Sequence, residues 1–182
     1  RMGAALGAGL LAVSLSFGTA AQEKDSFTLA WTIYVGWMPW QYAEDSGIMK
    51  KWADKYDIEV DIVQVNDYIE SINQYTAGQF DAVVATSMDG LSIPAASGID
   101  TTALIVGDYS DGNDGVVSKD ADSIEDLEGT TVHLVELSVS HYLLVRALDS
   151  VGLEERDINV VNISDADLVS AFQTDDVRTV AT

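Results

Sequence analysis

Four short stretches carry residue types that could bind a small molecule. Tyr34, Gly36, Trp37, Met38, Pro39 and Trp40 put aromatic rings beside a glycine and a proline. Such rings can wall a pocket with flat faces, which suits a planar or cationic ligand. Packing of the following helix start is the competing reading for Trp37 and the favoured one for Trp40. Thr86, Ser87, Met88 and Asp89 form the second stretch, where Ser87 could cap a helix and Asp89 could complement its amino end, or both could touch a ligand. The third contains Asp108, Tyr109, Ser110, Asp111 and Asp114. Carboxylates in a crossover could grip an ammonium or guanidinium group, although simple solvation is favoured for Asp111 and Asp114. The fourth is Glu136, Ser138, Ser140 and His141. A desolvated carboxylate at Glu136 would repel an anion by roughly several kcal/mol, so this set favours a neutral or positive ligand. His141 also reads as an ordinary first-turn residue.

Catalytic chemistry finds less support. Ser138 and His141 fall on one helical turn without a Gly-x-Ser-x-Gly elbow, which does not make a nucleophile and its base. With two histidines, His133 and His141, and no cysteine, a transition-metal site is poorly supported. Asp108, Asp111 and Asp114 lack the glycine and glutamate spacing of a calcium loop. No glycine-rich phosphate loop occurs. The expectation is therefore a binding protein with no catalytic residue, no metal and no cofactor.

These loops need strands and helices to hold them. Ser123 to Gly129 reads as a capped helical turn, Thr130 to Glu136 as a strand, and Ser140 to Val151 as a helix that stops at Gly152. Glu136 to His141 thus lies where a strand ends and a helix begins, the place where open α/β sheets bind ligands. Upstream, the pattern predicts strands at Phe27 to Tyr34, Ile58 to Val65, Asp81 to Thr86 and Thr101 to Asp108. Helices are predicted at Met38 to Tyr56, Asp67 to Ala77 and Met88 to Ala96, the last with Pro94 awkwardly inside. A βαβαβαβ unit follows, then a loop from Asp108 to Gly115. Val116 to Lys119, Ile158 to Ile163, Asp165 to Phe172 and Val177 to Ala181 continue the alternation, which is the signature of an α/β fold.

Composition narrows the partners. The chain has 182 residues, of which 9 are basic and 30 acidic, giving a formal charge of -21. That charge opposes nucleic acid and anionic membrane surfaces, and its simplest source is the solvated surface of a secreted or salt-adapted protein. Residues 1–21 combine Arg1, an apolar middle and a small-residue end at Thr19-Ala20-Ala21, which reads as a secretory signal, with 22–26 as linker. The chain opens on Arg1 rather than Met. It ends at Arg178 to Thr182 on a strand whose following loop is absent, so the expectation is a fragment or truncated product.

Three phrases are similar to one family. Ser123-Ile-Glu-Asp-Leu-Glu-Gly129, Tyr75-Thr-Ala-Gly-Gln-Phe-Asp-Ala-Val-Val-Ala-Thr-Ser87 and the stretch from Phe27 to Trp40 resemble the periplasmic solute-binding proteins of ABC importers. The subfamily is the one that handles alkanesulfonates, nitrate, taurine and thiamine-precursor pyrimidines, and within it the chain looks nearest to urea-type proteins encoded beside urea or guanidine carboxylases. The resemblance implies a two-lobe, type II periplasmic-binding-protein fold, with lobe 1 over 27–110 and an incomplete lobe 2 over 111–182. Together with the strand-end loops read above, the expected ligand contacts are Tyr34, Trp37, Met38, Ser87, Asp89, Asp108, Glu136, Ser138 and Ser140. Ser138 and Ser140 match the hydroxyl-bearing loop of the family's anion binders, and Glu136 departs from it. The implied activity is capture of urea, guanidine or a small amine by hinge closure and delivery to a membrane permease, by a monomeric extracytoplasmic protein. Pyrimidine-synthesising enzymes share the fold and supply the alternative, together with a truncated chain that binds nothing.

Overall fold

A computed structural model describes residues 24–182 of the chain. The expected signal segment, 1–21, lies outside the described residues. The first lobe is a parallel sheet in the order β2-β1-β3, made of β1 (Ser26–Trp31), β2 (Glu59–Gln64) and β3 (Ala82–Val83). β1 runs beside β2 from Ser26↔Glu59 to Trp31↔Gln64, and Ala30 and Trp31 are both fully buried, as expected for a central strand covered on two faces. Helix α1 (Pro39–Asp45) takes Pro39 at its first position, and α2 (Ile48–Tyr56) follows it. The single helix expected over Met38 to Tyr56 is broken at Gly47, whose φ of 74° is left-handed and cannot continue a helix.

Helix α3 (Tyr68–Thr76) begins on the Asp67 side chain, which accepts from the Glu70 amide at 2.9 Å. It buries Tyr68, Ser71 and Ile72, one face at helical spacing. Helix α4 (Ser87–Gly90) is capped by Thr86 rather than by Ser87, and runs on as a wider turn over Leu91–Ala95. There the Ala96 amide reaches back to the Leu91 carbonyl, so Pro94 with no N–H of its own is accommodated.

The strand expected over Thr101 to Asp108 does not form. Leu104, Ile105 and Val106 are 82%, 69% and 70% exposed, and the backbone there pairs with no strand among the described residues. Strand propensity acts through packing against neighbours, and this stretch has none. The first lobe is accordingly βαβαβ.

The second lobe is a mixed sheet in the order β4-β7-β5-β6: β4 (Val116–Ser118), β5 (Thr131–Leu134), β6 (Asn159–Asn162) and β7 (Thr179–Ala181). β4 pairs antiparallel with β7 and the other pairs are parallel. Helix α5 (Val139–Val151) lays Leu144 and Leu148 onto this sheet with Leu127, Val132 and Leu134, all essentially without solvent contact. Each such side chain contributes about 2 kcal/mol of burial. Gly152, at φ 82°, ends the helix, and the Leu153 amide bonds the Leu148 carbonyl. Helix α6 (Asp165–Phe172) covers β7 through Leu168. The lobes meet at Val135, which follows β5 yet packs within the first lobe's cluster of Trp31, Trp37, Ile62, Tyr68 and Ile72.

Candidate functional site

A cleft of about 200 Å³ lies between the lobes. The first two turns of α3 and its cap form one wall with Asp67, Tyr68, Glu70 and Asn73. The loops after β5 and β6 form the other with Val135, Glu136, Leu137, Asn162 and Ser164. Both walls are carboxyl ends of parallel strands, where side chains and helix starts project beyond the sheet.

The first wall is stiffened from behind. A tight turn after β1, closed by the Trp37 amide on the Tyr34 carbonyl at 2.8 Å, packs Tyr34 against Trp37 and Trp37 against Tyr68 in tilted contacts, with ring centres 5.2 and 5.3 Å apart. The Tyr68 hydroxyl donates to Asp89 at 2.7 Å and accepts the Thr86 amide at 2.9 Å. Burial pushes the Tyr68 hydroxyl far above its usual range, and the Asp89 charge acts in the same direction, so it stays a donor. Asp89 is fully buried; Thr86 and Tyr68 both donate to one carboxylate oxygen, and the other has no partner. The Tyr34 hydroxyl donates to Asp114 at 2.7 Å, tying the first strand's loop to the crossover. Its pKa is pushed up to about 12 by burial, with Asp114 adding to the effect.

The second wall is held differently. Ser138 caps α5, accepting from the Ser140 amide at 3.2 Å while donating to the Val135 carbonyl at 2.7 Å. Leu137 has a left-handed φ of 65°, a conformation that costs a side-chain-bearing residue about 1 kcal/mol or more. The amides on this bend are engaged: Glu136 donates to Asn162 Oδ1 at 2.9 Å, and Leu137 to His141 Nδ1 at 3.1 Å. The Glu136 side chain is exposed at the cleft.

The helix starts facing the gap carry acid of their own. Asp67 caps α3 and Glu70 lies in its first turn; Asp165 opens α6. Burial pushes the Asp165 carboxyl up to about 6, with its own amide partly offsetting the rise and the charge of Asp67, from the opposite lobe, adding to it. At the α3 start, amides that would otherwise welcome an anion are already engaged by the Asp67 carboxylate. No lysine or arginine lines the cleft among the described residues.

Of the residues singled out in the sequence, Glu136 lines this cleft directly, and Trp37 backs it through Tyr68. Tyr34 packs against Trp37, and Asp89 sits behind Tyr68. Ser138 and Ser140 are buried at the α5 start, the first with its hydroxyl occupied. Met38 and Ser87 are exposed and outside the cleft lining, and Asp108 is exposed over Gly36, where only a glycine leaves its carboxylate room. Asp114, read as a solvated loop residue, instead holds Tyr34 because the crossover folds back on the β1 loop. The sequence reading missed Asp67, Tyr68, Glu70, Asn73, Asn162 and Asp165. Their signal was available, since each lies at or just beyond the strand-to-helix joins after β2 and β6, the same position that drew attention to Glu136.

Comparisons with known proteins agree with this architecture. The family described as NMT1/THI5 like matches residues 46–182, more than half of the chain. No curated protein matches in sequence. The alkanesulfonate-binding protein SsuA from Xanthomonas axonopodis pv. citri, solved bound to MOPS, superposes with a TM-score of 0.69 at 19% identity, over 88% of this chain and 55% of that one. The periplasmic aliphatic sulphonate binding protein SsuA from Escherichia coli gives 0.60 at 22% identity, over 86% and 53%. The periplasmic nitrate-binding protein NrtA from Synechocystis PCC 6803 gives 0.57 at 13%, over 88% and 47%. The chain spans about half the length of these proteins, and at such identities the likeness is one of fold: a two-lobed α/β structure of the periplasmic-binding-protein type. On the extent of the family match, the chain belongs to the NMT1/THI5-like family.

Proposed function

We propose that this chain is the solute-capturing component of an ABC importer, working outside the cytoplasmic membrane and passing its ligand to a membrane permease. The ligand class we propose is a small neutral or positively charged nitrogen compound such as guanidine, urea or a simple amine. The similar structures named above are described as binding proteins, which supports capture over turnover.

The observation that carries the ligand class is the cleft lining: Asp67, Glu70 and Glu136 are present and no basic side chain accompanies them. A sulfonate or nitrate entering there would meet three carboxylates, all solvent-exposed, and each close pair would repel it by about 1 kcal/mol after screening by water. The donors that bind anions in such sites are spoken for, since the Glu136 and Leu137 amides already serve Asn162 and His141. A guanidinium instead offers a planar fork of N–H donors to carboxylates on both walls. Closure then follows from contacts made to both lobes at once, with Val135 keeping the halves in touch beside the cleft.

A thermal-shift panel on the natural full-length protein at fixed ionic strength tests this. Guanidinium, methylammonium or urea should stabilise it, by about 2.7 kcal/mol at a hundredfold excess over Kd, while taurine and nitrate should not. Stabilisation by the anions alone would exclude the proposed ligand class.

A further inference from the structure

We propose that His141 is a positioning residue for the cleft: as a neutral imidazole it holds the Leu137 amide and so fixes the bend that presents Glu136 to the ligand. The inference rests on the binding role proposed for the cleft. It deepens that role by naming what sets the geometry of the second wall and what would release it.

The bend is an uphill conformation that needs outside support. Leu137 is left-handed at φ 65° and the residue is 69% exposed, so packing of the leucine itself does not hold it. Two side chains supply the support through consecutive amides. Asn162 Oδ1 takes the Glu136 amide from the β6 end at 2.9 Å, and His141 Nδ1 takes the Leu137 amide from the first turn of α5 at 3.1 Å.

An imidazole can accept at Nδ1 only while that nitrogen carries no proton, which places the ring's proton on Nε2. Nε2 lies 3.3 Å from Glu155 Oε2, close enough for charge attraction but not aligned as a hydrogen bond. The His141 side chain is only 15% exposed. It stands in an open groove of about 620 Å³ that shares Glu136 and Leu137 with the cleft, so the bend is a thin wall between two spaces.

The charged groups facing His141 are Glu136 from its own loop and Glu155 and Arg156 from the turn before β6; Arg156 is drawn to Glu154 at 2.7 Å. Without an acceptor at this position the Leu137 amide loses its partner and the bend is released. Asn162 alone does not fix it, because it holds the residue before the left-handed one.

The test compares the wild-type protein with His141→Asn, which keeps an acceptor at the δ position and does not titrate, and His141→Phe, which removes it. Hydrogen exchange of the Leu137 amide is read without any ligand. Protection relative to the unstructured rate should be kept in His141→Asn and lost in His141→Phe. Guanidinium affinity should fall about tenfold in His141→Phe and stay within about twofold in His141→Asn. A Leu137 amide as well protected in His141→Phe as in the wild type, or unprotected in the wild type, would overturn the strut. If the amide behaves as expected but no variant binds guanidinium, the binding reading of the cleft fails while the support of the bend stands.

Discussion

The two walls of the cleft are built on opposite plans. On the first, Tyr34, Trp37 and Tyr68 pack in series at tilted angles, and the two tyrosine hydroxyls donate to Asp114 and to buried Asp89. On the second, the backbone itself is bent into a left-handed turn at Leu137, and Glu136 stands exposed upon it. One wall is rigid because its side chains are packed; the other is held by single hydrogen bonds to Asn162 and His141. Shape is therefore set by the first lobe, and the charge at the cleft comes from Glu136 on the second lobe and from Asp67 and Glu70 on the first. Breaking the first wall should cost stability, whereas altering the second should mainly change binding.

The largest effect is expected at Tyr68→Phe, which leaves the Asp89 carboxylate with Thr86 as its only side-chain donor among the described residues. A loss of about 3 kcal/mol should appear in urea unfolding. Val135→Ala opens the contact between the lobes within the first-lobe cluster and should lose about 2 kcal/mol by the same measurement. Asp165→Asn reads the electrostatics of the gap. The folded pKa of about 6 stands above the ordinary 3.8, so the charged carboxylate opposes folding most fully above about pH 6, and that penalty fades as pH falls toward 3.8. The amide variant should be more stable than wild type by about 1–2 kcal/mol at neutral pH and lose that advantage near pH 4, as followed by thermal unfolding. The smallest effect concerns the bend: Leu137→Gly should exceed Leu137→Ala in stability by about 1 kcal/mol, because only glycine adopts a positive φ freely.

Much of the α/β order is legible in residue pattern alone. The alternation around β5 and α5, the Gly152 stop and the Asp67 start all fall where local chemistry puts them. Thr101 to Asp108 went the other way, since Leu104, Ile105 and Val106 have strand propensity but no neighbour to pair with, and pairing is not written in the segment itself. The break at Gly47 was locally visible, but an apolar face running from Trp40 to Ala53 masked it. In the site, strand-end loops located Glu136, and the aromatic run located Tyr34 and Trp37. Asp67 and Asp165 read only as helix starts, because no local pattern reveals that two carboxylates on opposite lobes act on each other. The role of Asp114 required a contact 80 residues away in sequence.

Isothermal titration of the full-length protein with guanidinium and with an alkanesulfonate, in wild type and Glu136→Gln, tests the central claim most directly. The account predicts heat of binding for the cation only, with affinity about tenfold weaker once Glu136 loses its charge. Tighter binding of the sulfonate by wild type, or a cation affinity indifferent to Glu136→Gln, would contradict it.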